Sequence, residues 1–302
     1  MTTGVLVMAY GTPRDRDDIE AYYTDIRRGR PPTPELLADL VRRYDAVLAE
    51  STRSGSGGTF PLRELTDQQV AAIAGELSGD YVVRLGTKHS VPTIPAAVAE
   101  LAAAGVERVV GLVLAPHYSR ASVGDYAERA AKAAAEHGLR VETVESWHLL
   151  PAYVGFLADA VRAALARLPA GGEVVFTAHS LPVRVADDTY PRQLGETAAA
   201  VAAAAGVQRW SVAWQSAGRT ADEWLGPDIL DVIRDRAAAG APGLVVCACG
   251  FVSDHLEVAY DLDLEAAGRA RELGLAFART ASVNADPAVM RALAELVVAQ
   301  SA

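Results

Sequence analysis

Eight short runs of aliphatic and β-branched residues recur along the chain, separated by longer stretches, many alanine-rich, of helical character. They fall at 4–9 (GVLVMA), 81–87 (YVVRLGT), 108–114 (RVVGLVL), 140–146, 173–178, 209–214 (RWSVAW), 243–249 and 274–282. Near-continuous apolar strands joined by helices belong to parallel sheets covered on both faces, because a half-solvated strand alternates apolar and polar residues.

The order of the runs holds an echo. "VLVMAYGTP" (5–13) aligns without a gap with "VVFTAHSLP" (174–182), an offset of 169 residues in a chain of 302. Both read apolar strand, alanine, ring-bearing residue, small residue, any residue, proline. Four predicted strands belong to each half. The expected fold is therefore α/β: two similar doubly wound halves, each with a four-stranded parallel sheet flanked by helices. The expected division is 1–149, 150–283, and a C-terminal helix in 284–302 packing back on the first half. In such sheets ligands bind beyond the carboxyl ends of the strands. Tyr10 and His179 occupy equivalent strand-end positions, so facing halves would aim both into one cleft.

Helix signals agree. Thr33-Pro34 reads as an N-cap followed by proline in the first turn, and Asp286-Pro287 opens the last helix in the same way. Leu36, Leu37, Leu40, Val41, Tyr44, Val47 and Leu48 form one apolar stripe. Thr66 with Gln69 fits a capping box. "STRSGSGGT" (51–59) reads as a flexible loop.

Composition removes several classes of function. The net charge of −10 argues against nucleic acid, which needs a basic footprint. Five arginines nevertheless crowd into "IRRGR" and "VRRY" within 17 residues, which suits a small anionic ligand as well as a solvated helix end. No apolar run approaches the ~20 residues of a membrane span. "MTTGVLVMAYGTP" reads as a first strand rather than a leader, and the expected location is the cytoplasm. Only Cys247 and Cys249 are present, so no disulfide framework is expected, and on one buried strand they read as small hydrophobes. No G-x-G-x-x-G, Walker, H-E-x-x-H or C-x-x-C stretch occurs. No coiled-coil heptads are readable, and a monomer is expected.

"GFVSDHLEVAYDLDLEAAGRARELG" (250–274) places Glu257, Asp261 and Glu265 at i, i+4 and i+8. On a helix they share one face, where like charges repel by roughly 0.2–0.5 kcal/mol per pair. Such a row needs either full solvation or a cation. Carboxylates and water suit a hydrated divalent ion, and imidazole with carboxylate suits Fe²⁺. "TKHSVP" and "LAPHYS" each place a further histidine just beyond a predicted strand.

Six ordered motifs, "VLVMAYGTP", "YYTDIRRGR", "VLAPHYS", "AHSLP", "WQSAGRTADEWLGPD" and "GFVSDHLEVAYDLD", resemble the ferrochelatases, in particular the bacterial coproporphyrin branch. The resemblance implies a two-half α/β fold and insertion of Fe²⁺ into a porphyrin, with iron as substrate and no tightly bound cofactor. It implies His179 and Glu257 as the catalytic pair, with Asp261 and Glu265 as an outer metal site. Tyr10 would lie on the opposite porphyrin face. Arg27, Arg43, Tyr44 and Tyr126 would contact the macrocycle or its carboxylates, Lys88 and His89 would stand near the cleft, and Trp224 would help wall it. Two departures stand out. The family's Gly-Gly-x-Ser-Pro-Leu stretch reads "GGTFPL" here, with Phe60 at the serine position. Some relatives hold a [2Fe–2S] cluster on four cysteines, and two cysteines are too few for that within one chain.

The chemistry fits these residue types. Metallation must remove two pyrrole protons, strip water from Fe²⁺ and bend a stiff ring. Histidine is the natural base near neutral pH. The arginine cluster favours coproporphyrin III, whose four propionates outnumber the two of protoporphyrin IX. The alternatives are a chelatase for protoporphyrin IX or another tetrapyrrole and metal, and a non-catalytic porphyrin- or haem-binding protein.

Overall fold

The structure is a computed structural model that describes residues 2–53, 61–218 and 220–301. Eight strands form two sheets, all neighbours parallel: β1 (Thr3–Ala9), β2 (Tyr81–Thr87), β3 (Arg108–Val113) and β4 (Val141–Val144), then β5 (Glu173–His179), β6 (Trp210–Gln215), β7 (Gly243–Cys247) and β8 (Ala276–Arg279). The spatial orders are β2-β1-β3-β4 and β6-β5-β7-β8, the same winding twice. The echo is therefore topological: β1 and β5 are the equivalent strands from which each sheet grows in both directions.

Burial explains the uninterrupted apolar runs. Val5 to Met8 and Val174 to Ala178 are all fully buried, so both faces of β1 and β5 are covered. One core is shared by the two halves. Val5, Val7 and Leu112 of the first sheet join Val174, Phe176 and Val245 of the second through the helices Pro151–Leu165 and Pro287–Ser301. The last helix packs on the helix Pro61–Glu76 and on β3 and β4, and also on Pro151–Leu165. Separate cores cover the outer face of each sheet.

The proline-led helices start where the sequence puts them. Thr33 Oγ1 accepts from Leu36 N at 3.3 Å ahead of Pro34–Arg53, and Asp286 Oδ1 accepts from Ala288 N and Val289 N at 3.0 and 3.1 Å. Other expectations are corrected. Thr66 is no cap: it lies inside the helix Pro61–Glu76, donates back to Leu62 O at 2.7 Å, and Gln69 reaches across to Asn284 O at 2.9 Å. Residues 51–53 close the helix Pro34–Arg53 rather than opening a loop, while residues 54–60, with the rest of that loop and Phe60 of "GGTFPL", lie outside the described residues. The strands expected over 140–146 and 274–282 shrink to Val141–Val144 and Ala276–Arg279, since each has a sheet partner on one side only. Cys247 ends β7 and Cys249 lies beyond it, both buried and unbridged. No described helix is long and apolar enough to cross a membrane.

Candidate active site

Tyr10 follows the last residue of β1 and His179 is the last residue of β5, so the two equivalent strand ends each present a ring. Glu257 reaches the same place from β7 by a route that depends on Gly250. A Cβ there would stand 2.4 Å from Ala178 Cβ and 2.6 Å from its Cα, closer than any side chain tolerates. Glycine lets the chain cross the end of β5, where Gly250 N donates to Thr177 O at 2.9 Å. The crossing segment is then held down. Asp254 accepts from Ser282 Oγ at 2.8 Å and Asn284 Nδ2 at 2.9 Å, and its own N–H donates to Asn284 Oδ1 at 3.0 Å. Glu257 N donates to His255 Nδ1 at 3.0 Å, and Gln215 Nε2 donates to Glu257 O at 3.4 Å.

His179 Nδ1 donates to the Ser180 carbonyl, so Nε2 faces Glu257 Oε1, 3.5 Å away. Burial alone would lower the imidazole pKa. The charge of Glu257 and its contact with the ring, the Ser180 carbonyl and Asp261 together outweigh it, and the pKa rises to about 9. Burial likewise opposes the Glu257 carboxylate, but the charge and contact of His179, with His255 and Arg43, together hold it below its usual range. At neutral pH the pair is imidazolium and carboxylate. Tyr10 is packed on one side and 46% exposed on the other, and that partial burial, then the Glu257 charge, pushes its phenol up.

The acidic stripe is not on an α-helix. Val258–Ala266 is a π-helix, with Ala267 N donating to Leu262 O five residues back. The wider turn keeps residues four and five apart on one side. Glu257 is half-buried, Asp261 is buried and Glu265 is exposed, so the carboxylates run from the cleft to the surface. Ser216 Oγ donates to Asp261 Oδ2, and Arg43 Nη1 lies 3.8 Å from Asp261 Oδ1. Burial, then repulsion by Glu257 and Glu265, raises the Asp261 pKa to about 7 against the pull of Ser216 and Arg43. Among the described residues, no three His, Cys, Asp or Glu side chains converge on one point. His179, Glu257, Asp261 and Glu265 thus form a pair and a trail, not a closed coordination sphere.

The residues expected to contact a porphyrin divide. Tyr10 and His89 rings meet edge to face at 4.7 Å, and His89 Nδ1 lies 2.7 Å from Asp25 Oδ2. Lys88 pairs with Asp125 and stands 5.1 Å over the Tyr126 ring. Tyr10, Lys88 and His89 line a cavity of about 690 Å³. Tyr126, 4% exposed, supports Lys88 from the core and does not line that cavity. Tyr44, 5% exposed, packs with Ile19 and Leu40, its phenol raised by burial and by Tyr23. Arg43 is shared between Asp39 at 3.1 Å and Asp261, and lies 4.8 Å over the Tyr260 ring. Arg27 donates to Arg30 O at 3.2 Å, while Arg28, turned by a φ of 57°, takes the place on the cavity wall. Trp224 donates to Thr220 Oγ1 at 3.1 Å and bridges to Pro182 beside His179.

Ser216, Asp254, Asn284 and Arg28 were not legible as site residues. Ser216 had a signal, since it stands one residue past β6 and strand ends carry ligands in this fold. Its φ of 61°, strained for a non-glycine residue, is visible only in three dimensions.

The chain matches the ferrochelatase family over residues 2–301. It is 41% identical over 305 residues to the coproporphyrin III ferrochelatase of Halalkalibacterium halodurans, covering 97% of this chain and 96% of that protein. It is 41% identical to the coproporphyrin III ferrochelatase of Bacillus subtilis (98% and 96% covered), and 39% identical to a ferrochelatase of Herpetosiphon aurantiacus (99% of each). Among solved structures it resembles SirB from Bacillus subtilis with Fe³⁺, TM-score 0.63 at 13% identity over 100% of this chain and 96% of SirB. It also resembles CbiX, the terminal enzyme of siroheme biosynthesis in denitrifying bacteria, TM-score 0.55 at 15% identity over 99% of each. At such low identity these two speak for the shared two-half fold alone. Sequence match and architecture together make this chain a member of the ferrochelatase family.

Proposed function

We propose that this chain inserts ferrous iron into coproporphyrin III, giving coproheme in haem synthesis. The observation that carries it is the His179–Glu257 pair at the end of β5 with Tyr10 at the equivalent end of β1, in a family member about 40% identical to proteins named for this reaction. Residues 1–149 and 150–283 would be the two walls of the cleft, with the helix in 284–302 tying back onto the first. We place the protein in the cytoplasm as a monomer, in keeping with two free thiols.

The residues divide the labour as follows. Fe²⁺ meets Glu265 at the surface, then Asp261, then Glu257, with oxygen ligands replacing water stepwise. His179 becomes a ligand or a base only after its proton leaves, because the imidazolium has no free lone pair. The Glu257 carboxylate keeps that proton on His179 until metal arrives and helps hold the metal afterwards. Tyr10 presses on the other porphyrin face, and Lys88, fixed by Asp125 and Tyr126, gives that wall a positive charge. Arg43 links the carboxylate trail to the porphyrin side.

The test mixes protein, Fe²⁺ and porphyrin without oxygen and follows the Soret band. Rapid metallation of coproporphyrin III and slow metallation of protoporphyrin IX support the reading. Faster metallation of protoporphyrin IX reassigns the substrate, and tight porphyrin binding without metallation makes the protein a carrier. His179→Ala should abolish metallation and keep porphyrin binding.

A further inference from the structure

Three polar heads on the wall of the 690 Å³ cavity beside Tyr10 have no partner among the described residues: the guanidinium groups of Arg28 and Arg120 and the Tyr118 hydroxyl. The other cations there are paired, Lys88 with Asp125 and Arg129 with the same carboxylate at 3.1 Å. Asp25 is taken by His89. Glu128 is the one lining carboxylate without an ion pair among the described residues, against two free guanidiniums, so the free charge on this wall is positive in a chain of net charge −10.

The mount of Arg120 differs from that of an ordinary surface arginine. It opens the π-turn Arg120–Gly124, whose flanks are buried: Ser119 and Val123 are each 1% exposed. Ser119 Oγ accepts from Ser122 N at 3.0 Å, and Gly124 N donates to Ser119 O at 3.1 Å. The base of the side chain is therefore fixed while its head is free. Gly124 makes room for the phenol. A Cβ on it would lie 3.2 Å from the Tyr118 hydroxyl, which would have to give by a few tenths of an ångström, and in ordinary contact with Arg120 Cγ at 3.7 Å, so both side chains lie over this turn and the phenol needs the glycine. Arg120 and Tyr118 line the same cavity two residues apart, and a guanidinium with a phenol on one wall is a donor set for a carboxylate, the first bidentate and the second single.

We propose that Arg120 and Tyr118 form a carboxylate clamp that, with Arg28, holds a propionate-bearing edge of the porphyrin in this cavity, an assignment that rests on the porphyrin reading above. It makes these residues specificity determinants for a substrate richer in carboxylates.

The test is titration of the full chain with coproporphyrin III by fluorescence quenching, without metal, for wild type, Arg120→Ala, Tyr118→Phe and Gly124→Ala. Arg120→Ala should raise Kd about tenfold, the worth of one charged hydrogen-bonded contact, and flatten the salt dependence of binding. Tyr118→Phe should raise it about threefold. Gly124→Ala keeps both groups, suits its helical φ of −60°, and should still weaken binding by shifting the Tyr118 hydroxyl. Kd values within twofold of wild type in all three variants, with wild type binding and metallating coproporphyrin III, overturn the clamp alone. A wild type that neither binds nor metallates coproporphyrin III overturns the functional reading, and the clamp with it.

Discussion

His179 Nε2 stands 3.5 Å from Glu257 Oε1, and because Nδ1 is engaged with the Ser180 carbonyl, the nitrogen facing the carboxylate is also the one left for a metal. The proton and the metal compete for one lone pair. Burial lowers the His179 pKa and Glu257 raises it further, to about 9, so removing the carboxylate leaves burial dominant. In Glu257→Gln the imidazole should titrate below its unperturbed value of about 6.5. Ring chemical shifts of His179 against pH measure this, and a midpoint unchanged near 9 would refute the pairing. The sign for stability follows. A raised folded pKa stabilises fully below about pH 6.5 and loses that contribution as pH rises through 9.

Gly250 is the position on which the placement of Glu257 turns. Alanine there would put Cβ 2.4 Å from Ala178 Cβ, and Ala178 is backbone-fixed in a fully buried strand that cannot yield. Gly250→Ala should cost about 1–3 kcal/mol in urea unfolding, as overpacking does. It should also lower metallation more than porphyrin binding, since the displaced segment carries Glu257 and not Tyr10. Wild-type turnover in this variant would show that Glu257 can be reached by another route.

Asn284 tests the clamp on the same segment. Its amide donates to Asp254 Oδ2 and accepts from Asp254 N, at a φ of 46°. Both substitutions Asn284→Ala and Asn284→Gly lose the hydrogen bonds, but only alanine also suffers the left-handed backbone, about 1–2 kcal/mol. The glycine variant should therefore unfold at higher urea than the alanine variant. The reverse order would mean that the φ is not retained in solution.

Much of this was legible from residue patterns, and the reason is physical. The winding of both halves was legible because β1 and β5 are covered on both faces and must be apolar throughout, and His179 and Tyr10 were placed by the same strands. Glu257, Asp261 and Glu265 were legible as a row because four-residue spacing shares a side in both α and π turns. The π geometry was not, since it depends on which carbonyl each N–H finds. How deeply Tyr44 and Tyr126 are buried was not legible, because an aromatic side chain gives no sign of which way it turns. The Asp254–Asn284 pairing spans 30 residues and follows from the β8 connection. Thr66 and Gln69 satisfy the capping pattern, yet the helix begins at Pro61 and leaves them in its interior.

His117 sits between the halves and should set the acid side of stability. Thr197 Oγ1 donates to His148 O at 3.1 Å, so His117 Nε2 must donate to Thr197 Oγ1 at 2.9 Å, leaving Nδ1 buried without a partner among the described residues. Burial, with His148 nearby, lowers its pKa to about 3. A depressed folded pKa means the unfolded chain binds more protons below about pH 6.5, so stability falls as pH drops from there toward 3. The slope is about 1.4 kcal/mol per pH unit from this one group. His117→Gln keeps a donor toward Thr197 and removes the titration. The difference in unfolding free energy between wild type and His117→Gln should change by that slope between pH 6 and 4, and a constant difference would refute the buried neutral imidazole.

The carboxylate trail predicts how iron dependence varies with pH. Burial and the charges of Glu257 and Glu265 bring Asp261 to a pKa of about 7, so below that pH it is protonated and a poor ligand. The KM for Fe²⁺ should fall as pH rises through 7, and Asp261→Asn should remove that step, because an amide does not titrate. Asp261→Ala with Glu265→Ala should raise the KM for Fe²⁺ roughly tenfold, with a smaller loss in kcat, since the His179–Glu257 pair at the end of the trail is intact. Steady-state rates at varied Fe²⁺ and pH, without oxygen, measure both. An Fe²⁺ dependence identical to wild type in the double variant would mean that iron reaches Glu257 from the Tyr10 side instead.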